Sequence, residues 1–181
     1  NQVSQWPCSP ISRPLVTAPA LLVNEVMSDN DGYLVAADGS NPDWIEIYNP
    51  SPVSVNLSNF FLSDKLNQPN KGPLGNLVIP AHGHALFYAN DGDTNLSQSL
   101  DFTIKSKGEP IYLFFQDSNQ VDYLVDQLHA PPMTSNQTYG RKWDAFPQWT
   151  IFGDHGSANA VNSGPLTLTD TSPILGLKAY P

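Results

Sequence analysis

Asp29, Asp31, Asp38 and Asp43, with Asn30 and Asn41 among them, crowd side-chain oxygens into one polar stretch. Calcium accepts roughly six to eight oxygen ligands in flexible geometry, so this is the metal chemistry these four aspartates could do. Asp29-x-Asp31-Gly32 is how a calcium loop of the common kind begins, yet Ser40 stands where such a loop needs its closing bidentate glutamate. An ordinary solvated turn is the expected reading and calcium at Asp29, Asp31, Asp38 and Asp43 the alternative.

Other reactive groups are sparse. His82 and His84 stand two apart, which on a strand would aim both rings to one face, but no third ligand is near in sequence; a turn-capping role is expected. His129 and His155 are isolated and read as surface residues. Glu25 and Glu46 form the one carboxylate pair within apolar runs; a glycosidase would need them across a cleft, and a structural role, pairing with Lys105 or Arg141, is expected instead. Cys8, the single cysteine, excludes an internal disulfide and a cysteine-based zinc site, and no G-x-S-x-G elbow is present. No catalytic residues are expected. Tyr139, Arg141, Trp143 and Trp149, with Phe146 nearby, gather rings and a cation near the C-terminal end. Such rings bury large area at small entropic cost and equally close one end of a sandwich core; packing is the expected use, and Tyr139, Arg141, Trp143 and Trp149 are the candidate binding residues should the face be open, with Trp143 the member expected to be exposed.

The elements that must position these groups are strands. In Asp43 to Tyr48, Ile45 and Ile47 alternate with Trp44, Glu46 and Tyr48, the period of a half-buried strand. Asn49-Pro50 then ends the ladder, because proline has no N–H to donate. Further strands are expected at 20–27, 53–57, 60–63, 77–79, 85–90, 101–105, 111–116, 120–127, 139–142 and 149–151. Lys107-Gly108 and Asp117-Ser118-Asn119 supply hairpin chemistry. Short strands at regular spacing predict an all-β, immunoglobulin-like antiparallel sandwich of about nine strands, with at most a helical turn near 95–99.

Composition sets outer bounds. A chain of 181 residues suits one domain, and 17 Pro, 12 Gly and only 14% charged residues fit many strands joined by turns. A net charge of −9 argues against a nucleic-acid partner, since neutralising phosphates needs clustered Lys and Arg. No apolar run reaches the roughly 20 residues of a membrane span, and residues 1–20 lack signal-peptide character. The sequence is therefore expected to be mature or part of something longer.

The ordered series VNEVM at 23–27, DWIEIYNP at 43–50, VNLSNFFLSD at 55–64, VIPAHG at 78–83, FTIKSKGEPIYLF at 102–114 and YGR at 139–141 resembles the lamin-tail domain. This immunoglobulin-like module occurs in nuclear lamins and in many bacterial surface proteins. The resemblance implies a sandwich with no known catalytic residues, used as a spacer or for contacts with other macromolecules. GLKAYP at 176–181 resembles the opening of the C-terminal sorting domain of type IX secretion in Bacteroidetes, which implies a secreted or cell-surface protein.

The expected organisation is a proline-rich linker or docked segment at 1–19, the sandwich at 20–156, a linker at 157–173 and the start of a sorting domain at 174–181. The expected function is a noncatalytic interaction or spacer module; a carbohydrate-binding module serving an attached hydrolase is the alternative. Its expected partner is a protein or polysaccharide at the cell surface, and the module is expected to be a monomer without a cofactor, calcium excepted.

Overall fold

The computed structural model describes residues 18–93, 95–153 and 156–162. Among them are twelve strands and no helix. A six-stranded sheet takes β12 (Trp149–Phe152), β11 (Thr138–Arg141), β1 (Leu22–Met27), β2 (Asp43–Tyr48), β7 (His84–Ala89) and β8 (Ser99–Leu100), in that order. A four-stranded sheet takes β10 (Asp122–His129), β9 (Pro110–Gln116), β4 (Phe60–Ser63) and β5 (Gly72–Pro73). β3 (Val55–Asn56) and β6 (Val78–Ile79) form a small ribbon of their own. All named pairings are antiparallel except β7 with β8. This is an immunoglobulin-like β-sandwich.

The two large sheets close on each other through alternate residues. Val23, Val26, Ile45, Ile47 and Phe87 from the first meet Phe60, Leu62, Ile111, Leu113 and Leu128 from the second, all within one buried cluster. Each such side chain contributes about 1.5–3 kcal/mol by leaving water, so this layer is the main source of stability.

Several expectations are corrected. Gly72–Pro73 and Ser99–Leu100 add two strands that were not expected, because two-residue ladders are too short to show a period. The stretch 101–105 is no strand: it makes one bridge, Asn90 with Thr103, and its alternation instead drops Phe102 and Ile104 into the core from a loop. The stretch 95–99 holds turns and the start of β8. β2 is not half-buried; Trp44 and Glu46 are as sealed as Ile45 and Ile47, because the outer face of the first sheet is itself covered.

The strand pairing of β1 slips between Val23 and Glu25. The extra residue, Asn24, makes a β-bulge and shifts the parity of the strand, so Val23 and Val26 both point inward while Glu25 lies beside Glu46 on the outer side. Strict alternation would have put Glu25 in the core with Val23. Cys8, His155, residues 1–17 and residues 163–181 lie outside the described residues, and with them most of the expected linkers and the sorting-domain segment. Residues 157–162, within the stretch read as a linker, lie against the first sheet.

Candidate functional site

β11 and β12 run along one margin of the first sheet, and β10 forms the facing margin of the second. Strand pairing sets Arg141 opposite Trp149 and leaves Tyr139 diagonal to it, on the same face. Tyr139 and Trp149 stack with ring centres 5.4 Å apart and planes 19° from parallel, and the guanidinium carbon of Arg141 lies 4.5 Å from the Trp149 ring centre. The two aromatics join Pro110, Gln127, Leu128 and His129 around a cleft of about 370 Å³. Three of the four candidate binding residues are thus brought together.

Trp143 is not with them. It makes an edge contact with Phe146 at 5.1 Å, and Lys142 Nζ lies 4.7 Å from its ring centre. Trp143 and Phe146 are exposed, unlike Arg141, which is buried. Arg141 is also taken up by the fold: Nε donates to Val23 O at 3.0 Å, one terminal nitrogen to Phe146 O at 2.9 Å and the other to Asp126 Oδ2 at 2.8 Å. Its guanidinium supports the Trp149 platform from behind a structural role. Gln127 and Asp126 went unread in the sequence, where they look like ordinary polar positions of an alternating strand, and His129, expected at the surface, is exposed at the cleft; a second bulge, between Leu124 and Asp126, resets that alternation.

The outer face of the first sheet carries a second polar cluster. Glu25 and Glu46 are cross-strand partners and both are fully buried. Asn24 Nδ2 donates to Glu46 Oε1 at 2.8 Å and to Asp144 Oδ1 at 2.9 Å. Thr138 donates its hydroxyl to Glu25, and Ser157 Oγ lies 2.6 Å from the other Glu25 oxygen. The Asn159 N–H donates to Glu46 Oε2 at 2.6 Å. Burial pushes both glutamates above the usual carboxylate range, Glu46 to about 8. The expected partners of these glutamates are elsewhere: Lys105 pairs with Glu109 at 2.5 Å and Arg141 with Asp126. The reason is topological, since Lys105 lies in the loop before β9 and Arg141 turns to the second sheet.

The aspartates of the 28–43 stretch do not converge on a common point. Asp29 accepts from Ser135 Oγ at 2.8 Å, Asp38 from Ser40, and Asp43 from the Asn30 N–H at 3.2 Å, while the Asp31 N–H donates to Asn136. Burial pushes Asp43 up to about 6, with nearby Asp29 adding to the shift. Among the described residues, no group of three or more His, Cys, Asp or Glu side chains is arranged to hold a metal ion. His82 sits in a turn at φ 54°, off the strand, whereas His84 opens β7 and places Nε2 2.9 Å from Asp144 Oδ2. The two rings therefore do not share a face.

No described helix is long and apolar enough to cross a membrane. No curated protein and no solved structure matches the chain. The model of the lamin tail domain family matches residues 16–128, which takes in β1 to β9 and all but the last residue of β10; β11 and β12, one wall of the aromatic cleft, lie beyond it. With more than half of the chain matched and its strands stacked as an immunoglobulin-like sandwich, the chain belongs to the lamin tail domain family.

Proposed function

We propose that this domain is a noncatalytic interaction module of a secreted or cell-surface protein, and that its contact surface is the cleft between β10 and the β11–β12 margin. The observation that carries this reading is the Tyr139–Trp149 stack, half-buried beside Gln127 and His129. Two stiff rings with polar neighbours offer much contact area for little lost freedom, which is how aromatic anchors work in protein recognition. A role in contact rather than in reaction is supported by the buried carboxylates, whose oxygens are already engaged by groups of the chain itself. The cell-surface address is supported by the similarity of GLKAYP to a sorting segment.

A carbohydrate-binding role is the second reading, because the same rings could stack on a sugar. The arrangement favours a protein partner: Tyr139 and Trp149 face each other, and Trp143 and Phe146 stand at 90°, so neither pair makes a flat row for a polysaccharide. A glycan array combined with Trp149 emission decides between them. No glycan hit is expected, and a hit abolished by Trp149→Ala would overturn the protein-contact reading.

A further inference from the structure

We propose that residues 156–162 are a proton-gated strap, seated on the outer face of the first sheet while the Glu25–Glu46 pair holds one proton and released when that proton is lost. The strap is held by a series of polar contacts. Ser157 reaches Glu25 through its N–H at 3.2 Å and its hydroxyl, Asn159 N–H reaches Glu46, and Asn162 N–H reaches Asp144 at 3.0 Å. Asn162 Nδ2 donates to Arg141 O at 2.7 Å, and the Tyr33 hydroxyl donates to Gly156 O. Val161, its largest apolar side chain, is 67% exposed. Two of the strap's anchor points, Ser157 and Asn159, rest on the glutamates themselves, so its seating responds to the state of those carboxylates. The seat is also close-fitting: a Cβ on Gly156 would come within 2.6 Å of Thr138 Cγ2 and 2.9 Å of Glu25 Oε1.

The proton is located by counting hydrogens. Ser157 Oγ is in hydrogen-bond contact with both Glu25 Oε2 and Asn162 Oδ1. The Asn162 amide cannot be turned round, because its nitrogen faces the carbonyls of Arg141 and Asn24. A hydroxyl has one hydrogen, so Ser157 cannot donate to two acceptors. The contacts close if Glu25 carries a proton, donates it to Ser157 Oγ, and Ser157 donates to Asn162. Glu46, with an N–H aimed at each of its oxygens, is then the ionised member.

The charges around the pair make the second ionisation costly. Asp144 stands beside both glutamates, with His84 and Tyr48 behind it, and Tyr33 faces Glu25 from the 28–42 loop. The guanidinium of Arg141 points the other way, to Asp126. Losing the shared proton leaves two buried negative charges side by side with a third close by, and removes the hydrogen that Ser157 accepts. The two carboxyls titrate as one unit, and the upward shift of both agrees with a pair that keeps its last proton to alkaline pH. A cleft of about 280 Å³ lined by His84, Leu86, Gln98 and Asn159 meets the strap at Asn159, the residue whose N–H reaches Glu46. Releasing the strap frees a seven-residue segment, 156–162, that spans up to about 3.3 Å per residue when extended.

Hydrogen exchange across pH tests this on the full chain. Protection factors, corrected for intrinsic rates, are expected to fall about tenfold or more at amides 157, 159 and 162 between pH about 6 and about 9.5, while those of Ile45 and Ile47 hold. Glu25→Gln reproduces the protonated acid, since its amide can donate to Ser157, and should remove the pH dependence. Glu46→Gln aims its own N–H at backbone or side-chain donors and should weaken the strap at every pH. His84→Gln should leave the alkaline fall in place. A flat profile in the wild type, a fall that survives Glu25→Gln, or a fall abolished by His84→Gln would each overturn the proposal.

Discussion

Arg141 of β11 and Asp126 of β10 meet at 2.8 Å and between them hold both backbone polar groups of Val23: Arg141 Nε donates to its carbonyl, and Asp126 Oδ2 accepts from its N–H at 2.9 Å. Val23 adjoins the bulge at Asn24, where the β1–β11 ladder has stopped. One ion pair therefore completes the first sheet and ties it to the second.

Removing half of that pair leaves a buried charge and an orphaned peptide group. Arg141→Ala is expected to cost about 3 kcal/mol or more in urea denaturation. Arg141→Lys should recover little, because an ammonium cannot serve Val23, Phe146 and Asp126 from one plane. Full stability in Arg141→Lys would show that charge alone is what the site needs.

The buried acids give stability an unusual pH trend. Asp43, raised from 3.8 to about 6, and the coupled Glu25–Glu46 pair, both members raised and Glu46 to about 8, hold protons more tightly in the folded chain than in the unfolded one. Their contribution is fully present below the unfolded values and is lost as pH rises through about 6 and then about 8. The melting temperature should therefore drop from pH about 5 to pH about 9. Asp38 and Asp117, held low by hydrogen bonds, act only at lower pH. A midpoint that climbs over the same window contradicts these assignments.

The tryptophans separate by neighbourhood. Trp149→Ala loses a ring stack, a cation contact and packing against the core, and is expected to cost about 2–4 kcal/mol. Trp143→Ala, at 39% exposure, should stay within about 1 kcal/mol. Equal costs would mean that the Trp149 contacts carry no special energy.

Calcium should not stabilise the fold. Asp29, Asp38 and Asp43 already accept hydrogen bonds from their own or neighbouring loops, so binding would have to break those first. Millimolar calcium is expected to shift the melting temperature by no more than about a degree, and a shift of several degrees would establish a site.

Two glycines distinguish conformational strain from collision. Gly39 and Gly108 share φ 86°, but a Cβ at Gly39 meets nothing within 4 Å, whereas at Gly108 it would lie 2.4 Å from Ala130 O. Gly39→Ala should cost about 1 kcal/mol from backbone strain. Gly108→Ala should cost at least about 2 kcal/mol more, or displace the 130–132 segment. Comparable values for the two would show that the 130–132 backbone yields freely.

Much of the architecture could be read directly. β2 and β4 fall at the predicted residues, and Asp117 closes the β9–β10 hairpin by accepting from the Asn119 and Val121 N–H groups. Local chemistry governs these: period two, a proline that cannot donate, an Asp that folds onto its own backbone. The ladders at Gly72–Pro73 and Ser99–Leu100 escaped as too short to show a period, and both bulges escaped because an inserted residue changes parity without changing composition. Of the candidate binding residues, Tyr139, Arg141 and Trp149 do come together, whereas Trp143 stands apart; their nearness in sequence could not reveal that Arg141 faces inward.

The amino-acid order alone determined that this chain is a β-sandwich and which residues of β2 line its interior, because alternation is a property of a single strand and needs no partner to be legible. Only the folded chain decided that Glu25 lies beside Glu46, that Asp126 and Arg141 share Val23, and that Ser157 and Asn159 cover the glutamates. Those contacts join residues from 15 to 132 positions apart, where bulge placement and sheet stacking, invisible in a local pattern, set what touches what.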